Sequence, residues 1–251
     1  MNNIELSILM PAFVAGLLVL ATHIPFGMKV LERGVIFADL AVAQIAGLGV
    51  IVAALLGVND QPLLVQLIAT VSALGGAGLL AWIEHRLADV KEACIGLTFV
   101  LAASGGILLM SHDVHAGEHL KDLLVGQILW VSTHQLISTA ILTLAILALW
   151  QWTSLKTSTL GFYALFAVAV TASVQLVGVY LVFASLIVPA LATYRIGRHR
   201  NYYAFAIGIA GYAIGLLLSA WFDLPSGAAI VWAMAAAGMI TAWSLKSRKV
   251  S

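Results

Sequence analysis

The sequence predicts an all-α fold, a polytopic membrane helix bundle with eight to nine transmembrane helices. Of its 251 residues, 62% are hydrophobic and only 9% are charged, whereas a soluble domain carries about 25% charged residues. The mean hydropathy of +1.06 agrees, because a soluble fold has no interior large enough for this much apolar surface. Residues 1–251 therefore form a single transmembrane domain by length, and the one cysteine, Cys94, excludes an internal disulfide.

Apolar runs set the order of the predicted helices, since a span needs about 20 mostly apolar residues. The run 124–152 is long enough for its first turns to lie at the membrane interface. The sixth and seventh runs are short and meet near Gln175–Gly178, so they are two spans, one broken helix or a re-entrant pair. The nine runs cover residues 6–26, 35–58, 63–83, 94–110, 124–152, 161–176, 178–194, 203–221 and 227–245.

Basic residues predict the orientation of the bundle. In a nine-span topology every lysine and arginine except Lys121 falls on one side of the membrane. Basic loops stay in the cytoplasm, which places the N-terminus outside and the C-terminus inside. Glycines within the runs predict close helix packing, which replaces the hydrophobic drive in lipid; they are Gly47, Gly49, Gly75, Gly76, Gly78, Gly208, Gly211 and Gly215.

Ionisable groups at membrane depth are costly and mark function, and the second run contains one in RGVIFADLAVAQIAGLGV. Asp39 and Gln44 lie five residues apart, about 140° around a helix, so they share a broad face at best. Two interpretations are open for Asp39. It pairs with Lys29, Arg33 or another group and fixes the helix, or it lines a translocation path together with Gln44.

The inner loop PALATYRIGRHRNYY combines a helix-breaking proline with arginines and tyrosines. It is either a positive-inside anchor with an aromatic belt or a short amphipathic helix that docks a cytoplasmic partner.

The outer stretch SHDVHAGEHLKD contrasts with the apolar runs around it. Its potential ligands for a divalent metal such as zinc are His112, His115, Glu118 and His119. They form a catalytic metal centre, a transient outer metal site or a solvated loop that contacts a partner. No GxxxxGK[ST] phosphate loop occurs, so an ATP-driven process would need an ATPase on another chain.

Three segments resemble the permease subunit of zinc/manganese/iron-type ABC importers, the ABC-3 family. The first is RGVIFADLAVAQIAGLGV, similar to a second-span signature in which an acid precedes a Ser-His pair and a Gly. The others are QLVGVYLVFASLIVPALATYRI and GLLLSAWFDLPSGAAIV. Here Ala43 or Gln44 stands where that signature has histidine, and the stretch TSLKTSTLG is shorter than its counterpart.

The resemblance implies a permease homodimer in the inner (plasma) membrane, with cytoplasmic ATP-binding-cassette subunits below and an extracytoplasmic metal-binding protein above. It implies no catalysis and no bound cofactor, only a transported divalent ion such as zinc, manganese or iron. It assigns the translocation path to Asp39 and Gln44. A cytoplasmic coupling helix maps onto Ala192–Asn201, which gives an ATPase-coupling role to Arg195, Arg198, His199 and Arg200.

Two other classes compete with an importer. An ATP-independent secondary carrier needs ion-coupling acids near the bilayer midplane, and Asp39 alone comes close. A membrane di-iron enzyme would use the HxxxH pair of His115 and His119 on one helix face. It needs several histidine clusters together, whereas His23, His85, His134 and His199 are scattered along the chain. No feature of the sequence points to nucleic acid.

Overall fold

The computed structural model describes residues 3–58, 60–110, 126, 128–153, 155, 157–197 and 199–247. Within these ranges all regular structure is helical, as the sequence predicts. The helices are α1 (Asn3–Arg33), α2 (Ala38–Leu55), α3 (Pro62–Arg86), α4 (Lys91–Leu109), α5 (Thr133–Trp152), α6 (Thr159–Val177), α7 (Val179–Ala192), α8 (Arg200–Phe222) and α9 (Ser226–Ser247). Short 3₁₀ turns lie at Ala88–Val90 and Ile128–Trp130.

Eight of the described helices are long and apolar enough to cross a membrane. The exception is α7, which is apolar but has only 14 residues. The prediction of eight to nine spans is confirmed, and the protein is a multi-pass membrane protein. The orientation of its termini and its organisation as a single domain stay predictions.

Two helix boundaries differ from the predicted runs. α1 continues through Pro25 to Arg33, past the predicted end at residue 26, and Gly34 with φ +65° ends it. The long run 124–152 is not one helix, because α5 begins only at Thr133. Ser132 accepts the N–H of Gln135 at 3.2 Å, and the Gln135 side chain accepts the N–H of Ser132 at 2.9 Å. This reciprocal capping box fixes the helix start.

The boundary between α6 and α7 lies at Gly178, within the predicted region. Gly178 has φ +79° and ψ 162°, a conformation that glycine adopts without steric cost. The backbone of Gly126 passes so close that a Cβ there would lie 2.2 Å from the carbonyl carbon of Val177. The two short runs are therefore separate helices that meet at a glycine.

By its internal contacts the chain forms two compact units, of which the first covers residues 1–33, 124–144 and 176–251. In this unit α1 packs on α7 and α8, and α9 packs on both α7 and α8. Glycines permit these contacts, as predicted for Gly208, Gly211 and Gly215. A Cβ on Gly27 would lie 2.0 Å from the carbonyl oxygen of Leu186, and one on Gly211 would lie 2.6 Å from Cβ of Met234.

The second unit covers residues 34–123 and 145–175. Here α2 packs on α3 and α4. A Cβ on Gly49 would lie 2.6 Å from Oγ of Ser72, and one on Gly76 would lie 2.6 Å from Cδ1 of Ile45. Gly75 and Gly78 differ from the prediction, because among the described residues nothing lies within 4 Å of a Cβ built on either.

Large apolar side chains remain exposed on several helices. On α4 they include Leu97, Leu101 and Leu108, and on α5 they include Ile137, Ile141 and Leu144. Tryptophans near helix ends are exposed as well, among them Trp130, Trp152 and Trp221. Apolar faces flanked by tryptophan are the surface that a bilayer requires.

Candidate translocation and coupling sites

The start of α2 is built by a short turn and a distant carboxylate. After Gly34 the chain turns, and the N–H of Ala38 donates to the carbonyl of Val35 at 3.0 Å. Glu92, in the first turn of α4, accepts the N–H of Phe37 at 3.1 Å. A carboxylate at this position complements the positive end of the helix. Glu92 therefore ties the start of α2 to the start of α4, within the second unit.

Asp39 lies in the first turn of α2 and is buried, with 1% of its surface exposed. Its neighbours on the helix, Ala41, Val42 and Ala43, are apolar and buried too. Its Oδ1 has no hydrogen-bond partner among the residues that the structure describes. Burying a carboxylate oxygen without a partner is costly, so the position is typical of a functional group.

The structural interpretation of Asp39 named Lys29 as one partner. Lys29 forms an ion pair with Glu32, three residues along α1, at 3.2 Å. The carboxylate of Asp39 is in contact with the start of its own helix, through the backbone of Asp39 and Leu40. Oδ1 of Asp39 therefore remains a buried carboxylate oxygen without a partner among the described residues.

Gln44 lies further along α2 and is half-buried. Ala43, one of the two positions where the resembled signature has histidine, is buried and presents only a methyl group. The potential donors of α2 are therefore a carboxylate and an amide. Oxygen donors of this kind accept manganese, iron(II) and zinc, and they discriminate poorly against magnesium and calcium.

The predicted coupling helix over Ala192–Asn201 is wrong. α7 ends at Ala192, Thr193–Arg195 form a turn, and α8 begins at Arg200. Turn-type hydrogen bonds replace the helical pattern here, since the N–H of Tyr194 donates to the carbonyl of Leu191, three residues earlier, at 3.1 Å. The N–H of Ile196 then donates to the carbonyl of Thr193 at 2.9 Å.

The four predicted coupling residues divide into different environments. Arg195 and His199 are exposed, which suits contact with a partner, and Arg198 lies outside the described residues. Arg200 instead reaches Glu32 at the end of α1, with Nη1 3.7 Å from Oε1. Its guanidinium also lies 5.8 Å from the ring centroid of Tyr194. Arg200 therefore holds the turn against α1, within the first unit.

The predicted outer metal ligands lie outside the described residues, so His112, His115, Glu118 and His119 stay predictions. Among the residues that the structure does describe, no group of three or more His, Cys, Asp or Glu side chains could hold a metal ion. A multidentate resident site is thus absent from the described helices.

Sequence reasoning missed Glu92 and Glu32. Glu92 is separated from Phe37 by 55 residues, so no local pattern predicts the bond. Its signal in the sequence was an acid in the first turn of a helix, where a carboxylate is favourable. Glu32 has a weaker signal, an acid at the end of the first span.

Comparison with known proteins agrees with this architecture. The sequence profile of the ABC 3 transport family matches residues 5–160 and 151–244. The chain is similar to a probable iron transport system membrane protein of Haemophilus influenzae, with 27% identity over 168 residues. That alignment covers 58% of this chain and 62% of the relative. The chain therefore spans less than two thirds of the relative's length.

A solved structure, PsaBC from Streptococcus pneumoniae in complex with Fab, has a similar fold. The TM-score is 0.72 at 21% sequence identity, and the superposition covers 93% of this chain and 89% of that chain. At this identity the similarity supports the fold alone.

Proposed function

The chain belongs to the ABC 3 transport family, and from that membership we propose that it is the permease subunit of an ATP-binding-cassette importer. The proposed cargo is a divalent transition-metal ion, moved from the periplasmic or extracellular side into the cytoplasm. The chain itself is not an enzyme. It resides in the inner (plasma) membrane and provides the path, while a separate subunit supplies the energy.

Asp39 carries the proposal within the molecule. It is a buried carboxylate in a helix long and apolar enough to span a membrane, with an oxygen that no described residue binds. Such a group serves a permease as a transient ligand, because a passing cation compensates the desolvated charge. Gln44 adds an amide oxygen on the same helix.

The proposed partners are ATPase subunits on the cytoplasmic side and a metal-binding protein on the outer side. The chain has no phosphate-binding loop, so ATP hydrolysis belongs to cytoplasmic ATPase subunits. Arg195, Arg198 and His199 are the proposed contacts with them, positioned by Arg200. An extracytoplasmic metal-binding protein docks on the outer side, near the loop of His112, His115, Glu118 and His119. The permease works as a homodimer.

Zinc is the first proposed cargo, with manganese and iron as alternatives of similar ligand chemistry. The name of the Haemophilus influenzae relative refers to iron, which supports including iron(II) in every assay. All three ions bind the same kinds of ligand, so a transport assay with each ion identifies the cargo.

Reconstitution tests this function. The purified chain and its ATP-binding-cassette partner would be placed in proteoliposomes, with the binding protein added outside. We expect uptake of zinc, manganese or iron(II) that requires ATP hydrolysis, and no uptake with a non-hydrolysable ATP analogue. The matched control is a set of vesicles that contain the permease without the ATPase.

Two results would contradict the proposal in different ways. Uptake driven by an ion gradient without the ATPase would make the chain a secondary carrier. Vesicles that hydrolyse ATP but take up none of the three ions would refute the proposed cargo. The histidine loop is tested alongside, since replacing His112, His115 and His119 with Asn should lower uptake at limiting metal and leave assembly unchanged.

A further inference from the structure

One turn of α1 is almost completely buried although it contains two polar side chains, Thr22 and His23. Val19, Leu20, Thr22, His23 and Ile24 are all buried, and His23 has 0% of its surface exposed. Among the described residues His23 is the one buried histidine, since His85, His134 and His199 are exposed. An imidazole at membrane depth within a span requires a functional or structural reason.

The hydrogen bonds of His23 determine which ring nitrogen carries the proton. Nδ1 lies 3.0 Å from the carbonyl oxygen of Val19 and 3.0 Å from Oγ1 of Thr22. A carbonyl oxygen only accepts, so Nδ1 is the donor. In the neutral ring this leaves the lone pair on Nε2, the form in which imidazole binds metals.

Nε2 of His23 is buried and has no hydrogen-bond partner among the described residues. A ring held through Nδ1–H by a backbone carbonyl, with no hydrogen bond at the other nitrogen, is the arrangement found behind metal-binding histidines. A structural histidine in an apolar interior would instead be expected to satisfy both nitrogens.

The backbone near His23 also contains a carbonyl group that lacks its usual helical hydrogen bond. Pro25 lies inside α1 and has no N–H to offer the carbonyl of Ala21, four residues earlier. The turn that holds His23 therefore contains a carbonyl without its usual helical donor. Prolines persist in membrane helices where other groups satisfy the freed carbonyl, and a bound cation is one such group.

Close packing keeps this turn in place. Within the first unit, a Cβ on Gly16 would lie 2.3 Å from the ring of Tyr212, and a Cβ on Gly27 would lie 2.0 Å from the carbonyl oxygen of Leu186. The hydroxyl of Tyr212 in turn bonds Oγ of Ser185 at 3.0 Å. Since α1 is fixed on both sides of His23, the position of the imidazole is fixed too.

We propose that Nε2 of His23 binds the transported divalent transition metal inside the membrane, as a nitrogen ligand contributed by α1. This inference rests on the proposed function and adds selectivity to it. An imidazole nitrogen favours zinc and iron(II) over hard ions such as magnesium and calcium, which prefer oxygen ligands.

Two substitutions separate metal binding from packing. H23N retains an N–H donor near the position of Nδ1, so the bond to Val19 can persist while the metal ligand is lost. H23Q is a second variant with an amide at the ε position. H134N is the matched control, because His134 is exposed on the first turn of α5. Assembly is measured for all three by size-exclusion chromatography.

Uptake at limiting zinc is the first readout. We expect H23N to reduce it about 10- to 100-fold per assembled protein, the range seen when even an indirect support of a metal ligand is removed. Magnesium should compete more strongly against zinc in both His23 variants, and H134N should match the wild type. Normal uptake and unchanged competition in an assembled H23N or H23Q would overturn the proposal.

Pulsed EPR with Mn²⁺ is the second readout and does not depend on transport. The protein would carry ¹⁵N-histidine and the loop substitutions at His112, His115 and His119. We expect nitrogen coupling from the imidazole of His23, lost in H23N and retained in H134N. Absence of that coupling overturns the inference, even where uptake succeeds. Failure of wild-type uptake with the coupling present would instead contradict only the proposed function.

Discussion

Among the described residues, each of the two units buries one Asp or His side chain, and the two units hold these side chains differently. In the first unit His23 is fixed by two hydrogen bonds and by glycines on either side. In the second unit Asp39 sits at the start of α2, where Glu92 holds the backbone of Phe37. One group is positioned by packing and the other by a helix terminus.

This difference indicates how each unit responds to change. A contact between a glycine and a backbone carbonyl has no soft atom to move, so the first unit should tolerate few substitutions there. A helix start held by one hydrogen bond shifts at small cost, of about 1 kcal/mol. The second unit is therefore the better place for a movable ligand, and the first for a fixed one.

The largest expected effect is loss of assembly on filling the contact at Gly27. G27A places a Cβ 2.0 Å from the carbonyl oxygen of Leu186, and overpacking typically costs about 1–3 kcal/mol or more. The yield of monodisperse protein in size-exclusion chromatography should fall sharply. The matched control is G75A in the second unit, where a Cβ meets no described atom. Equal yields for the two variants would contradict the packing difference.

Loss of ATPase coupling is the next expected effect. It should be larger for the exposed Arg195 than for Arg200, which pairs with Glu32. R195E reverses a charge on the exposed turn, so metal-stimulated ATP hydrolysis should fall several-fold while the permease still assembles. The variant R200K retains a positive charge opposite Glu32 and should keep most of the stimulation. Undiminished hydrolysis in R195E would refute the coupling role of this turn.

A smaller effect is expected at Glu92. E92A removes the acceptor of the Phe37 N–H and loosens the start of α2 by about 1 kcal/mol. Metal uptake should fall a few-fold because Asp39 is positioned less precisely, and assembly should stay intact. Uptake by E92Q should lie between that of E92A and that of the wild type. D89A is the control, since Asp89 is exposed in the adjacent turn. Wild-type uptake in E92A would show that this bond does not position Asp39.

The smallest effect is expected at the cap of α5. S132A removes the hydroxyl that accepts the N–H of Gln135 and should cost about 0.5–2 kcal/mol. The midpoint of thermal unfolding in detergent should drop by a few degrees with uptake unchanged. S138A is the control, because Ser138 only donates back to a carbonyl of its own helix. A larger loss in S138A would contradict the capping assignment.

The sequence predicts the helices well and their partners poorly. Run length and polarity are local, so the spans, the break at Gly178 and the exceptional Asp39 can all be predicted. The capping box at Ser132 and Gln135 is also a local signal, although an apolar run obscured it. The helix over Ala192–Asn201 was expected from the family resemblance, and turn hydrogen bonds such as that from the N–H of Ile196 to the carbonyl of Thr193 stand in its place.

The interactions that remained hidden join distant parts of the chain. The bond from Phe37 to Glu92 spans 55 residues, and the pair of Arg200 with Glu32 links α8 to α1. His23 was one of several scattered histidines in the sequence. Its importance depends on burial and on which nitrogen is bonded, and both follow only from the packed structure.

Uptake by D39N, in cells that lack the gene, is the decisive measurement. The substitution keeps the shape of Asp39 and removes its charge. We predict that uptake of the transported metal at limiting concentration falls at least about tenfold, as for loss of a metal ligand, with the assembled amount unchanged. D60N is the control, because Asp60 is exposed ahead of α3. Wild-type uptake by an assembled D39N would contradict the role of Asp39 in the path.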